Sequence, residues 1–175
     1  MAFEASVDKG QAYTYGSLAL LVAAGSILTA LGFQYIGGYQ PCLLCLWERY
    51  AYYFAVPALF LAIVLASGGS KGWAAALFFL VALAFLANAG LGTYHAGAEW
   101  KFWPGPDACG GGGDLSTSAG SLLKDLEGIK VVRCDEPSLV VFGLSFAGWN
   151  VVASLLAMLL SLKAAFAAAA SRTKI

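Results

Sequence analysis

The sequence predicts an all-α membrane protein, a four-transmembrane-helix bundle with one further short amphipathic helix outside the bilayer. Composition, the spacing of charges and a stripe of leucines in the longest polar segment lead to it. Of 175 residues, 60% are hydrophobic and 11% charged, where soluble chains carry roughly 25% charged residues. No Asp, Glu, Lys or Arg occurs within residues 15–36, 50–66, 72–98 or 137–162. A helix needs about 20 apolar residues to cross a hydrocarbon core about 30 Å thick. Backbone groups in lipid must bond internally, so such segments have to be helices. The ten acids and ten bases cancel, so no net field draws the chain toward nucleic acid.

The spans follow as about 15–36, 42–66, 72–95 and 138–162 of one transmembrane domain covering 1–175. Before the first span stand Glu4, Asp8 and Lys9, and its apolar stretch is too long for the core of a cleaved signal; it is expected to be retained. The second reaches full length only by starting near Cys42, with Glu48 and Arg49 in its first turns. Between the spans lie a short loop, 37–41, and a long one, 96–137, on the same side. In the long loop, Phe102-Trp103-Pro104-Gly105-Pro106 puts aromatics at the membrane interface, and Gly110–Gly113 form a run of four glycines. Leu115, Ala119, Leu122, Leu123 and Leu126 then recur at helical spacing, the apolar stripe of a short amphipathic helix. That helix is expected to lie on the membrane surface, with packing against the spans as the alternative. Ala164–Ala170 reads as a helix end fraying into solvent.

Four spans put both termini on one side, with Lys9, Lys71, Lys163, Arg172 and Lys174. Across the membrane are Lys101, Lys124, Lys130 and Arg133, outnumbered by seven acids from Glu99 to Glu136. The positive-inside rule makes the termini cytoplasmic. All four cysteines, Cys42, Cys45, Cys109 and Cys134, then fall on the opposite face or at its boundary. That face is a periplasm or another oxidising compartment, where disulfides persist.

Cys42-Leu43-Leu44-Cys45 has C-x-x-C spacing. A zinc site is disfavoured, because zinc usually takes four ligands; Cys109 and Cys134 are 25 apart and His95 is the only histidine. A static disulfide is disfavoured too, since so tight a loop constrains little chain. A redox-active pair remains the best reading. Pro41 suits a first helical turn, and a helix starting there puts both sulfurs at its positive end, the setting of reactive thiols. Arg49 is four residues after Cys45, one turn below on the same face. Its alternative role is to snorkel to the headgroups. Glu48 reads as an ion-pair or interface residue rather than a catalytic acid.

Gln40-Pro41-Cys42-Leu43-Leu44-Cys45-Leu46-Trp47-Glu48-Arg49-Tyr50 resembles the DsbB family of bacterial inner-membrane thiol oxidases, and the resemblance runs through Phe33-Gln34, Trp103-Pro104-Gly105-Pro106, Cys109 and Cys134. It implies reoxidation of a DsbA-like periplasmic thiol oxidase, with the electrons passed to a membrane quinone, ubiquinone or menaquinone. Cys109 and Cys134 would meet DsbA, with Cys109 forming the mixed disulfide. Cys134 would then exchange with Cys42, and Cys45 and Arg49 would face the quinone. The family often has a histidine beyond the third span near the quinone. Here His95 is the candidate, displaced by one residue, and an interfacial histidine without that contact is the alternative. Two other classes compete. One is a tetraspan structural membrane protein with inert ectodomain disulfides, which gives no reason for C-x-x-C above an arginine. The other is the epoxyquinone-reducing type of four-helix thiol protein, which places its C-x-x-C at the last span.

Overall fold

The structure, a computed structural model, describes residues 2–105 and 133–173, with side chains over 10–105 and 133–171. Four helices carry the chain: α1 (Ala2–Tyr35), α2 (Leu43–Ser67), α3 (Lys71–Glu99) and α4 (Phe146–Thr173). Each contains a stretch long and apolar enough to cross a membrane. Helices consecutive in sequence pack against each other, and α4 closes the ring on α1. The expected all-α four-span bundle is the observed architecture.

Alanine decides how closely the helices approach. Ala12, Ala19 and Ala23 on α1, Ala55, Ala58 and Ala62 on α2, and Ala157, Ala164 and Ala168 on α4 are all buried. Helices in lipid gain nothing from hiding leucine from a solvent that is itself apolar, so small residues that let backbones pack closely hold the interfaces. The larger side chains sit on the outside: Leu21, Leu28, Phe60, Leu80, Leu156 and Leu159 are exposed. This outside-large, inside-small pattern reverses that of a soluble bundle. Only a few bulky residues, such as Phe78, Phe85 and Leu59, fill the centre.

A buried polar network ties three helices together. Tyr52 Oη donates to Asn150 Oδ1 at 2.7 Å, and Asn88 Nδ2 donates to Ser154 Oγ at 3.0 Å and to Asn150 Oδ1 at 3.2 Å. Interhelical hydrogen bonds of this kind average about 0.6 kcal/mol each, so their main effect is to fix the rotation of α2, α3 and α4 about their axes.

Several boundaries differ from those expected: α1 starts at Ala2 and not near residue 15, and α3 runs to Glu99 and not to 95. The fourth span was placed from residue 138, but α4 begins at Phe146 because residues 140–145 form a hairpin. Strands β1 (Val140–Val141) and β2 (Leu144–Ser145) pair antiparallel. Phe142 (φ 51°) and Gly143 (φ 83°) both take positive φ, as a two-residue type I′ turn requires. Ser145 then caps α4, its Oγ accepting from Gly148 N at 3.2 Å. At the other end, the Ala164–Ala170 segment expected to fray is helical through Thr173. Ala164, Ala165, Ala167 and Ala168 are buried in the core, and Lys71 Nζ donates to Ser171 O at 2.7 Å. Small side chains here serve packing rather than fraying. The amphipathic helix expected over Leu115–Leu126 and the run Gly110–Gly113 lie outside the described residues.

The α3–α4 contact depends on Gly92, where a Cβ would stand 3.0 Å from both Asn150 Nδ2 and Val151 Cγ2. Gly92→Leu should destabilise the bundle by about 1–3 kcal/mol, the usual cost of overpacking. Gly90, two residues earlier, has nothing within 4 Å, and Gly90→Leu should leave stability nearly unchanged. Thermal unfolding of both variants in detergent checks this; equal melting temperatures would contradict the assigned interface.

Candidate redox site

The site is built on the first turn of α2. Cys42 is the N-cap, extended at φ −75° and ψ 173°, and Cys45 N donates to its Sγ at 3.3 Å. Capping by a sulfur turns the C-x-x-C spacing into contact: the two Sγ atoms are 3.0 Å apart, and both cysteines are thiols. Cys42 is buried and Cys45 half-buried. The pair therefore has two faces.

Behind Cys42 stands His95 from α3. Its Nε2 is 3.5 Å from Cys42 Sγ, and its Nδ1 is 2.9 Å from Glu48 Oε1. Glu48 lies one helical turn after Cys45, so α2 supplies both the thiols and the carboxylate that orients the imidazole between them. Glu99 Oε1 is 3.9 Å from His95 Nε2, and Ser145 Oγ donates to Glu99 Oε2. Thiol, imidazole and carboxylate thus stand in line, the geometry that activates a nucleophilic cysteine or steadies a departing thiolate. His95 does not border the cavity in front of the pair.

In front of Cys45 is a cavity of about 580 Å³ between α1, α2 and α4, with Cys45 and Arg49 in its wall. Arg49 Nη1 donates to Gln34 Oε1 on α1, which holds the guanidinium over the cavity. Phe33, Tyr39 and Phe146 form an edge-to-face cluster along the same wall, with centroids 5.0–6.3 Å apart. Trp149 also borders it, fixed by donation from Nε1 to Val141 O at 2.9 Å. The hairpin missed in the sequence thus forms part of the cavity rim.

Cys134 reaches the site from the long loop. It is buried, disulfide-bonded and packed in one cluster with Cys42 and Leu44. Its neighbour Asp135 anchors the segment. Lys101 Nζ donates to Asp135 Oδ2 and to its carbonyl oxygen, both at 2.7 Å, and Arg133 grips both carboxylate oxygens, at 2.8 and 3.0 Å. The Arg133 guanidinium, helped by Lys101, holds the Asp135 carboxyl well below the usual carboxylate range. On the α3 side, Trp103 folds back so closely over Gly97 that a Cβ there would meet its ring at 2.1 Å, and Trp103 Nε1 donates to Tyr94 O at 2.9 Å. Cys109 lies outside the described residues.

Of the residues singled out from sequence, Cys42, Cys45 and Arg49 come together at one cavity wall, Cys134 packs on Cys42, and His95 lies behind the pair. The roles of Glu48 and Glu99 toward His95 were not foreseen. The i,i+4 spacing of His95 and Glu99 was a visible signal; the Glu48 contact joins two helices and had none.

A bundle of four spans with a thiol pair at one helix start, a cavity before it and a second cysteine packed on it defines a membrane thiol–disulfide protein. The chain belongs to the DsbB family: the model of disulfide bond formation protein DsbB matches residues 14–164. No curated protein and no solved structure matches it. Membership makes the protein a disulfide-forming oxidoreductase of the membrane.

The anchoring of Asp135 has a measurable consequence. In Asp135→Ala, reduced Cys134 should react with maleimide at least several-fold faster than in the wild type, because the carboxylate contacts with Lys101 and Arg133 that anchor its segment are lost. Equal labelling rates would show that packing alone seats it.

Proposed function

We propose that the protein takes electrons from a DsbA-like periplasmic dithiol oxidase and passes them through its two cysteine pairs to a membrane quinone. The observation that carries the reading is the two-faced pair: Cys42 packs against the loop cysteine Cys134, while Cys45 opens on the cavity. Thiol exchange requires one sulfur to attack another directly, and Cys134 is seated for exchange with Cys42. Cys109, the other loop cysteine, would form the mixed disulfide with DsbA.

The residues present fit a quinone. A cavity of about 580 Å³ lies within the usual range for small-molecule sites. Its walls carry Phe33, Phe146 and Trp149, suited to an apolar ring and tail, while Arg49, Gln34 and Cys45 border it with polar groups. When bound, a quinone supplies a two-electron, two-proton acceptor, matching the two electrons and two protons released as the Cys42 and Cys45 thiols close to a disulfide. Arg49 would bind a ring oxygen through its fork of donors, and Gln34 holds that fork in place. His95, oriented by Glu48, is positioned to take or return a proton at Cys42 Sγ. The apolar walls exclude water from the Cys45 sulfur. The acceptor would be ubiquinone or menaquinone.

The lysine and arginine bias supports cytoplasmic termini and a periplasmic cysteine face, in the bacterial inner membrane that the family implies.

Arg49→Gln and Arg49→Lys separate a quinone contact from headgroup snorkelling. Each should raise the apparent KM for quinone, Gln by about tenfold or more and Lys by less, while exchange with reduced DsbA stays near the wild-type rate. Unchanged quinone kinetics in the Gln variant would remove Arg49 from the site.

A further inference from the structure

The fold brings together what the sequence keeps apart. Counting ligands along the chain disfavours zinc, because Cys109 and Cys134 are 25 apart and His95 is the only histidine. In space, Cys42 Sγ, Cys45 Sγ and a His95 ring nitrogen all lie within 4.8 Å of one another. We propose that the reduced Cys42–Cys45 pair and His95 form a binding site for a thiophilic divalent cation such as Zn²⁺, which holds the pair reduced.

The geometry is close to that of a filled site. Tetrahedral zinc with sulfur at about 2.3 Å and nitrogen at about 2.0 Å sets its ligand atoms roughly 3.5 Å apart. Cys42 Sγ is 3.5 Å from His95 Nε2 and 3.0 Å from Cys45 Sγ, so the two sulfurs need to spread by less than about 1 Å, and Cys45 Sγ already lies within 4.8 Å of the ring nitrogen. The orienting contact is in place as well. Glu48 Oε1, 2.9 Å from His95 Nδ1, fixes the tautomer that turns the Nε2 lone pair toward the sulfurs, as carboxylates do behind metal-bound histidines. Glu99 Oε1 stands 3.9 Å from Nε2 but outside the cluster of three, so the fourth position is left to water, as in open zinc sites. The site is buried apart from Cys45, so an ion entering there exchanges water for fixed ligands.

Binding is written M²⁺ + 2 RSH + His → M(SR)₂(His) + 2 H⁺, with no change of oxidation state. Both sulfurs become ligands, so neither can attack or be attacked until the ion leaves. Conversely, oxidation to the disulfide removes two electrons and two of the three ligands. Ion and disulfide therefore exclude each other, and the ion acts as a brake on the oxidase. This goes beyond the proposed function and is independent of which acceptor drains the pair.

The test uses the full chain in detergent, reduced anaerobically, freed of reductant and titrated with Co²⁺ as the probe. The expected result is one Co²⁺ per chain with thiolate-to-cobalt charge-transfer bands and the intense visible bands of tetrahedral cobalt. The same protein oxidised to the disulfide should show neither. Glu48→Gln should weaken binding about 10–100-fold, the usual effect of removing an outer-shell partner, and His95→Ala by at least as much. Undiminished bands in His95→Ala or in the oxidised protein would overturn the proposal, since the ion would then sit elsewhere. Failure of the reduced wild type to bind would overturn it equally. Should His95→Ala not fold, the oxidised wild type and Glu48→Gln carry the decision. No quinone enters the assay, so its outcome is separate from that of the quinone reading.

Discussion

The hydrogen bond between Glu48 Oε1 and His95 Nδ1, 2.9 Å long and buried between α2 and α3, is the contact on which the site depends. Polar groups at this depth are costly unless they find partners. Each of these two supplies what the other needs, and their pairing sets α3 against the first turns of α2. With His95 fixed there, its second nitrogen faces Cys42, and Cys42 as N-cap brings Cys45 round to the other side of the turn. One interhelical contact thus gives the thiol pair a back and a front. Removing either partner would leave a buried polar group unsatisfied and free the imidazole from the sulfur.

The front and back are chemically unlike. On the back, His95, Glu48, Glu99 and Ser145 form a closed polar line suited to handling protons beside Cys42. On the front, Cys45 meets a largely apolar cavity bordered by the charged groups of Arg49 and Glu48. Cys42, packed on Cys134, and Cys45, in the cavity wall, are therefore one helical turn apart, yet in different surroundings. Cys134, anchored through Asp135 and packed on Cys42, belongs to the first of these. The hairpin at 140–145 serves both sides: Ser145 reaches Glu99, while Val141 borders the cavity and fixes Trp149.

Much of this was legible in the sequence because the bilayer imposes a simple code. Charge-free segments marked the four helices, and Pro41 marked the start of α2 only to within two residues, since it precedes the N-cap Cys42 instead of occupying the first turn. Local spacing also placed Arg49 below Cys45. What escaped was of two kinds. The start of α4 was masked because 138–145 is as apolar as a span; its break comes from backbone geometry at Phe142 and Gly143, which hydropathy does not register. The partners of His95 were hidden because the Glu48 contact crosses from one helix to another, and helix rotation is set by alanine packing and the Tyr52–Asn88–Asn150 network rather than by any local motif. The same blindness made zinc ligation look implausible when ligands were counted along the chain.

The proposed function requires that Cys42 and Cys45, without the loop pair, can deliver electrons to a quinone. It is tested most directly with Cys109→Ser/Cys134→Ser, which keeps only the α2 pair. The variant is reduced, stripped of reductant and mixed anaerobically with quinone, and the quinone absorbance is followed. The account predicts loss of about one quinone per chain together with loss of two free thiols. No quinone reduction by this variant, under conditions where the reduced wild type reacts, would contradict it.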